Sequence, residues 1–450
     1  MNETMQGILG FITIAMVIVL LFKNLTIPSL AFITVSCATG LILVGTGTFT
    51  IEQVGEFIDE GVMGTAGTAG LFLFSVLFFG IMTDAGMFDK IINALVGKVG
   101  DNVVGVAFMS CIIAMIGHLD GGGASTFLIT IPAMLPIYKK LHMRPTTLML
   151  ICVTAMGVMN LMPWGGPTMR AASVLGMDPN ALWSQIIPMQ AVGLVIALLT
   201  AIIWGNIEVR RGAGIDGKLA KEYRHLSKDE VAMTAEMDIK ENNLARPDKF
   251  GINITLTLSV ILSLVLLPVP TYLVFMFGCA LAIFINYPEK KAQSAAIKRH
   301  SGPAIMMAST LFAAGVFLGI LEESGLMEHM ATILAQALPE ALGPYLPLLI
   351  GVLSVPLTVV FCTDAYFYGL LPVLISLGNA FGVDPVQTAL AMVVCRNCAT
   401  FISPVVPATF LGLGLAGIDI KEHLKASFFW VWGVSIVCLI AGLAFGVLTF

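Results

Sequence analysis

Hydrophobic residues in this chain come in long runs rather than in alternation. Between charges and Gly/Pro breaks, apolar stretches near 7–22, 27–47 and 68–83 have the length of bilayer spans, since a helix needs roughly 20 apolar residues to cross. A short amphipathic arm follows near 87–99. A helical hairpin then runs from about 102 to 117, turns, and continues to about 138. Next, a helix near 145–160 is broken at Met162-Pro163-Trp164-Gly165-Gly166-Pro167-Thr168, resumes as a short piece to about 175, and is followed by a span near 187–207. Two prolines and two glycines within five residues remove helical donors and helical propensity together.

The same order then recurs. Spans are predicted near 250–267, 271–287 and 303–321, an arm at 325–338, a hairpin turning at Asp364, a broken helix near 386–410 and a last span near 427–449. Landmarks keep nearly constant separation: Gly80 with Gly319, Asp84 with Glu323, Gly86 with Gly325, Asp89 with Glu328, Asp120 with Asp364, Pro163 with Pro404, and Gly176-Met177-Asp178 with Gly417-Ile418-Asp419. An ordered set of this kind marks a duplication. The fold class it predicts is an all-α polytopic membrane protein of two repeats, residues 1–207 and 250–450, each with five transmembrane crossings, a re-entrant hairpin and a broken helix. Five is odd, so the second repeat is inverted. Broken helices and hairpins at matching places in two halves are the pattern of a secondary transporter.

Residues 208–249 are the long polar segment, with nine basic and nine acidic residues mixed, and read as a solvated linker. Within it Gly212 to Lys218 has the G-x-x-x-x-G-K spacing of a phosphate loop, but Leu219 replaces the hydroxyl residue and no buried strand precedes it, so the match is read as chance. Basic residues collect on the cytoplasmic side of membrane proteins. With the linker inside, Lys23, Lys90, Lys98, Lys139, Lys140, Arg144, Lys290, Lys291, Lys298, Arg299, Lys421 and Lys425 all fall on that side. The opposite side carries Glu52, Glu56, Asp59, Glu60, Asp178, Glu322, Glu323, Glu328, Glu340 and Asp384 and no basic residue. Both termini are then external, and the hairpins enter from opposite faces.

Composition agrees, at 57% hydrophobic and 11% charged, whereas the net charge of −5 says nothing about where charges lie. The first run begins at Gly7 with no basic flank and no small-residue cleavage site, which argues against a removable signal peptide. Eight cysteines (37, 111, 152, 279, 362, 395, 398 and 438) lie in or beside apolar segments and read as small core residues. Cys395-Arg396-Asn397-Cys398 has the spacing of half a zinc or redox site but lacks a second ligand pair.

Few polar groups remain at membrane depth. His118-Leu119-Asp120-Gly121-Gly122-Gly123-Ala124-Ser125-Thr126 places an acid, three glycines and two hydroxyls between apolar arms. Backbone freed by such a break must be met by protein, water or a ligand. Arg170 and Arg396 alone among 23 basic residues escape the sidedness rule, and a membrane-depth arginine needs a partner. That partner is either Asp120 or Asp364, in an internal ion pair, or a substrate carboxylate held bidentately. Arg170, in irregular surroundings, is read chiefly as a substrate group; Arg396, on a regular helix, chiefly as an internal ion pair. Asp120 and Asp364, the only carboxylates placed deep in the apolar layer, could coordinate a metal cation, carry a coupling proton or cap a helix. His118, the only histidine placed at that depth, is read first as a structural residue and second as a proton relay. Ser125, Thr126, Thr168, Ser403 and Thr409 stand where short helices restart, and helix N-termini suit an anion. Glycines 121–123, 165 and 166 let a ligand approach backbone; Asn160 and Asn397 precede two of the breaks, and Thr363 lies beside Asp364.

Taken together, Leu119-Asp120-Gly121 with the following Gly, Ser and Thr, Asn160-Leu161-Met162-Pro163-Trp164-Gly165-Gly166-Pro167-Thr168-Met169-Arg170-Ala171-Ala172, Thr363-Asp364-Ala365-Tyr366-Phe367-Tyr368-Gly369 and Ser403-Pro404-Val405-Val406-Pro407 resemble the CitMHS citrate transporters, a branch of the ion transporter superfamily. The resemblance covers nearly the whole chain. It implies a homodimer with a scaffold and a moving transport domain, and import of citrate complexed with a divalent metal such as Mg²⁺ or Ca²⁺, together with protons. It also implies substrate contacts at the two hairpin tips and two broken helices. One departure is plain: the family typically reads Asp-Gly-Asp-Gly at the first tip, and here Gly122 takes the second acid's place. That leaves open a weaker or altered metal preference, or a metal-free carboxylate. Arg396-Asn397 is a second departure. The expectation is thus a proton-coupled citrate symporter in the cell membrane, with no resident cofactor. The alternative is a sodium- or proton-coupled transporter of a metal-free di- or tricarboxylate. An enzyme would have only His118 with Asp120 to start from, and a passive channel would show currents far above carrier rates.

Overall fold

The computed structural model describes residues 1–23, 25–97, 100–215, 244–337 and 339–449. Most of the polar linker (216–243) and Lys98, expected on the cytoplasmic side, lie outside them. The described residues fold into helices without strands, eight of them long and apolar enough to cross a membrane. Nine α-helices precede the linker: α1 Glu3–Phe22, α2 Pro28–Gly45, α3 Ile51–Asp84, α4 Met87–Val96, α5 Val103–Gly117, α6 Gly123–Lys140, α7 Pro145–Met159, α8 Gly166–Val174 and α9 Pro179–Arg211. Nine follow it: α10 Phe250–Leu266, α11 Thr271–Asn286, α12 Lys290–Glu323, α13 Leu326–Ala337, α14 Leu346–Val360, α15 Leu371–Ala380, α16 Pro385–Cys398, α17 Pro407–Ala416 and α18 Ile420–Ala444. Each helix of the first set has its counterpart nine places later. Packing reciprocates: α3 lies against α11 while α12 lies against α2, α1 meets α13 while α10 meets α4, and α5 packs on α9 as α14 packs on α18.

Several helices are longer than their apolar runs. The run near 68–83 is the second half of α3, which starts at Ile51 behind a capping box: Thr50 Oγ1 accepts from the Gln53 amide and Gln53 Oε1 accepts from the Thr50 amide. Glu52, Glu56, Asp59 and Glu60 therefore sit on helix. In the same way α12 begins at Lys290 rather than 303, α9 runs from Pro179 to Arg211 and takes in the expected start of the linker, and α18 starts at Ile420 and stops at Ala444. Hydropathy sees only the part of a helix inside the apolar layer, whereas backbone bonding continues into water.

The two 34-residue helices, α3 and α12, cross closely. A Cβ on Gly61 would stand 2.1 Å from the Gly315 carbonyl oxygen, and one on Gly319 would stand 2.0 Å from that of Phe57. Glycine is required here because backbone faces backbone, as at small-xxx-small contacts between membrane helices.

Candidate functional site

Both hairpin turns are irregular, and each for a visible reason. The first arm ends at Gly117, a 3₁₀ turn spans His118–Asp120, and Gly121 reverses the chain at φ 70°, a left-handed conformation that favours glycine. The Asp120 carboxylate then accepts from the Gly122 amide at 2.7 Å and from the Ser125 hydroxyl, closing the turn before α6. Trp164, from the first break, donates its indole N–H to the Leu119 carbonyl at 2.7 Å and packs between Phe79 and Phe275. Break and tip are thereby stitched together. The second hairpin turns through extended Phe361, and Ala365–Leu370 forms a π-helical turn before α15, an irregularity that recurs at functional sites.

The breaks restart with proline in the first turn, Pro167 in α8 and Pro407 in α17, where its missing N–H costs nothing. They meet at the centre of the molecule. Asn160 and Asn397, both buried, approach through Nδ2 and Oδ1 at 3.4 Å, and a Cβ on Gly157 would stand 2.6 Å from the Asn397 carbonyl oxygen.

A cavity of about 500 Å³ collects the tips and the breaks. Of the expected site residues, Asp120, Gly121, Gly122, Gly123, Ser125, Asn160, Gly166, Arg170 and Thr363 line it. The others stand behind that wall. Thr126 bridges His118 Nδ1 (2.8 Å) and the Gly122 carbonyl (2.7 Å), Thr168 donates to the Leu161 carbonyl, and Ser403 donates to the Thr358 carbonyl at 2.6 Å. Those hydroxyls hold the broken backbone together. Gly165 packs on the Asn160 carbonyl, and Thr409 and Asn397 are buried. The fully buried His118 imidazole lies edge-on to Phe401.

The internal ion pair expected of Arg396 is made by Arg170 instead. Arg170 is the ion-paired one: its Nε donates to Asp364 Oδ1 at 2.7 Å and its Nη1 to the Gly166 carbonyl at 3.0 Å. Arg396 forms no ion pair among the described residues. Its Nη2 donates to Thr363 Oγ1 at 2.8 Å and its Nη1 to Thr400 Oγ1 at 3.0 Å, Nε has no partner, and the Tyr366 and Phe367 rings lie 5.6 and 5.7 Å away. The correction has a physical cause, because Asp364 follows the hairpin bend toward α8, and hydroxyls and aromatic faces surround Arg396 instead. Both hydroxyls that hold Arg396 belong to the cavity wall. Asp364 faces a second cavity, away from Asp120, so the two acids do not converge.

Sequence reasoning missed the opposite wall, which α3, α12 and the second break supply with Phe72, Phe79, Thr83, His300, Met307 and Phe401. His300 Nε2 bonds Asp84 Oδ2 at 2.8 Å, and Arg299 lies 3.5 Å from the other oxygen. The landmark pairing of Asp84 with Glu323 marked the end of α3 but not this contact. His423, in the first turn of α18, is a second buried histidine, against the Phe401 carbonyl. Two acids just outside the predicted apolar runs are also buried: Asp84 is 5% exposed and Glu208 0%, the latter clasped by Arg144, Thr147 and Arg211.

The CitMHS family model, described as a citrate transporter, matches residues 10–395. A citrate transporter of Bacillus subtilis (strain 168) is 33% identical over 446 residues, covering 99% of this chain and 100% of that protein. A Mg(2+)/citrate complex secondary transporter of the same organism is 34% identical over 445 residues, covering 99% of each. Among solved structures, the Alcanivorax borkumensis YdaH transporter, described as having an unusual topology, superposes with a TM-score of 0.56 at 15% identity, over 93% of this chain and 98% of that one. At that identity the likeness is one of fold.

Proposed function

The chain belongs to the CitMHS family of citrate transporters, and from that premise we propose that it imports citrate as a divalent metal complex in symport with protons. It is a multi-pass membrane transporter rather than an enzyme. One observation carries the proposal: both hairpin tips and both broken helices open onto a single cavity that offers an arginine, an unpaired buried arginine behind two hydroxyls, and one carboxylate. Arg170 and the Arg396–Thr363–Thr400 group take citrate carboxylates, the Gly123 amide at the start of α6 approaches a third, and Asp120 faces the metal. Asn160 and Ser125 supply orientation.

Sidedness places the linker in the cytoplasm, the termini outside and the cavity mouth, at Thr83 and His300, toward the cytoplasm. Contacts between loops support the grouping of segments by side. Asp178 accepts from Thr271, joining two segments assigned outside, and Lys140–Asp101 and Arg144–Glu208 join segments assigned inside. Two inverted repeats, hairpins that re-enter the bilayer, and a homodimer within lipid complete the proposal.

A second reading is favoured by the first tip. Asp120 is the one carboxylate at the cavity wall, and it is engaged by Ser125 and the Gly122 amide, an arrangement that suits a metal-free di- or tricarboxylate. Uptake of radiolabelled citrate into proteoliposomes under an inward proton gradient, with magnesium, with calcium and with chelator, separates the two. The metal–citrate reading expects uptake to fall in chelator; full uptake there would contradict it.

A further inference from the structure

Thr363 and Asp364 are neighbours in sequence but face different cavities. Thr363 and Arg170 line the substrate cavity. Asp364 lines a second one of about 530 Å³, bounded by Cys362, by α17 and by the turn between α1 and α2. The Arg170–Asp364 ion pair crosses the partition between them. Asp364 keeps 15% of its side chain exposed, so the second cavity reaches it. Among the described residues, the polar side chains of that wall apart from Asp364 are Thr26 and Cys362. Such a cavity offers a multiply charged anion no cation, yet it admits water and a proton.

From this geometry we infer that Asp364 carries the coupling proton and exchanges it with water through the second cavity, separately from the substrate. The inference rests on the proton-symport reading above. A buried guanidinium needs a counter-charge, and Arg170 Nε–H holds one carboxylate at a time. When a substrate carboxylate takes that N–H, a proton from water bonds to the Asp364 carboxylate, because an unpaired carboxylate at this depth is strongly disfavoured. On release of substrate the proton leaves and the ion pair re-forms. The charged and titratable groups facing Asp364 are Arg170 from α8, Arg396 from α16, and Cys362 and Tyr368 from its own hairpin. The lining positions of α1 (Ile18, Leu21, Phe22) add none.

One proton taken up per substrate tightens binding by about tenfold for each unit the pH falls. The test compares citrate affinity against pH in the full-length parent and in Asp364→Asn, with citrate's own ionisation common to both. The expected result is that the variant loses that slope and no longer accumulates citrate under a pH gradient; a variant that keeps the parental slope and accumulates citrate overturns the inference. A parent that binds citrate but shows no proton-driven uptake would instead defeat the symport reading, which makes the two failures distinguishable. The path is tested at Cys362, of intermediate burial, in a Cys37→Ser background. A charged thiol reagent is expected to modify it equally with and without saturating citrate. Protection by citrate, or no reaction at all, overturns the separate path.

Discussion

At the scale of single residues, the first hairpin tip is where the metal–citrate and metal-free readings differ. A Cβ on Gly122 would meet Ser125 Oγ at 2.4 Å and Asp120 Oδ2 at 3.0 Å, while φ of −91° is open to any residue. Backbone therefore tolerates an acid there, provided the Ser125 hydroxyl turns away and the Asp120 carboxylate gives by a few tenths of an ångström. Gly122→Asp is expected to fold and to raise the ratio of uptake with magnesium to uptake in chelator. An unchanged ratio would remove this tip from metal recognition. Arg170 raises a different question, because deleting it strands the carboxylate of Asp364, whose side chain is only 15% exposed. Loss of one partner of such a pair costs about 3–5 kcal/mol, so Arg170→Ala should lower thermal stability and abolish uptake. Adding Asp364→Asn to it should return most of the stability and none of the uptake. Recovery of uptake in the double variant would assign the pair a structural role only.

Elements were legible in the sequence where a residue type forced the backbone. Glycines 121–123 and the Pro163–Pro167 run gave the first tip and the first break, and Asp364 and Pro404 gave their counterparts, because helix propensity fails locally at such residues. The ends of α3, α9, α12 and α18 were not legible from hydropathy, since charged turns remain helical beyond the bilayer. Pairing choices were not legible either. Which arginine meets Asp364 depends on how the second hairpin bends, and nothing in the spacing of Arg170 or Arg396 encodes that. His300 escaped notice because it lies on the polar start of α12, seven residues before the expected span at 303 had run a full turn into the layer. The α3–α12 crossing gives this scale its own test. Gly319→Val should separate the helices and deplete folded protein, at a cost on the order of 1–3 kcal/mol or more, whereas Gly64→Ala, with open space around its Cβ, should be tolerated. Equal stability of both variants would show that the crossing is not close in the membrane.

Over the whole molecule, most of the reciprocal packing falls within two sets of helices, bridged where α13 packs on α15. α1–α4 with α10–α13 form one, held at the α3–α12 crossing; α5–α9 with α14–α18 form the other and carry both tips and both breaks. The cavity lies where the sets meet, since Phe72, Phe79, His300 and Met307 belong to the first and Asp120, Arg170 and Thr363 to the second. On the proposed reading, movement of one set against the other would open the cavity to alternate faces. The measurement that tests the account most directly is a density map of the full-length protein in membrane mimetic with saturating citrate and magnesium. Citrate is predicted between Asp120, Asn160, Arg170 and Thr363, with a carboxylate on Arg170. Citrate in the cavity beside Ile18 and Phe410, or an Arg170–Asp364 pair undisturbed by bound citrate, would contradict it.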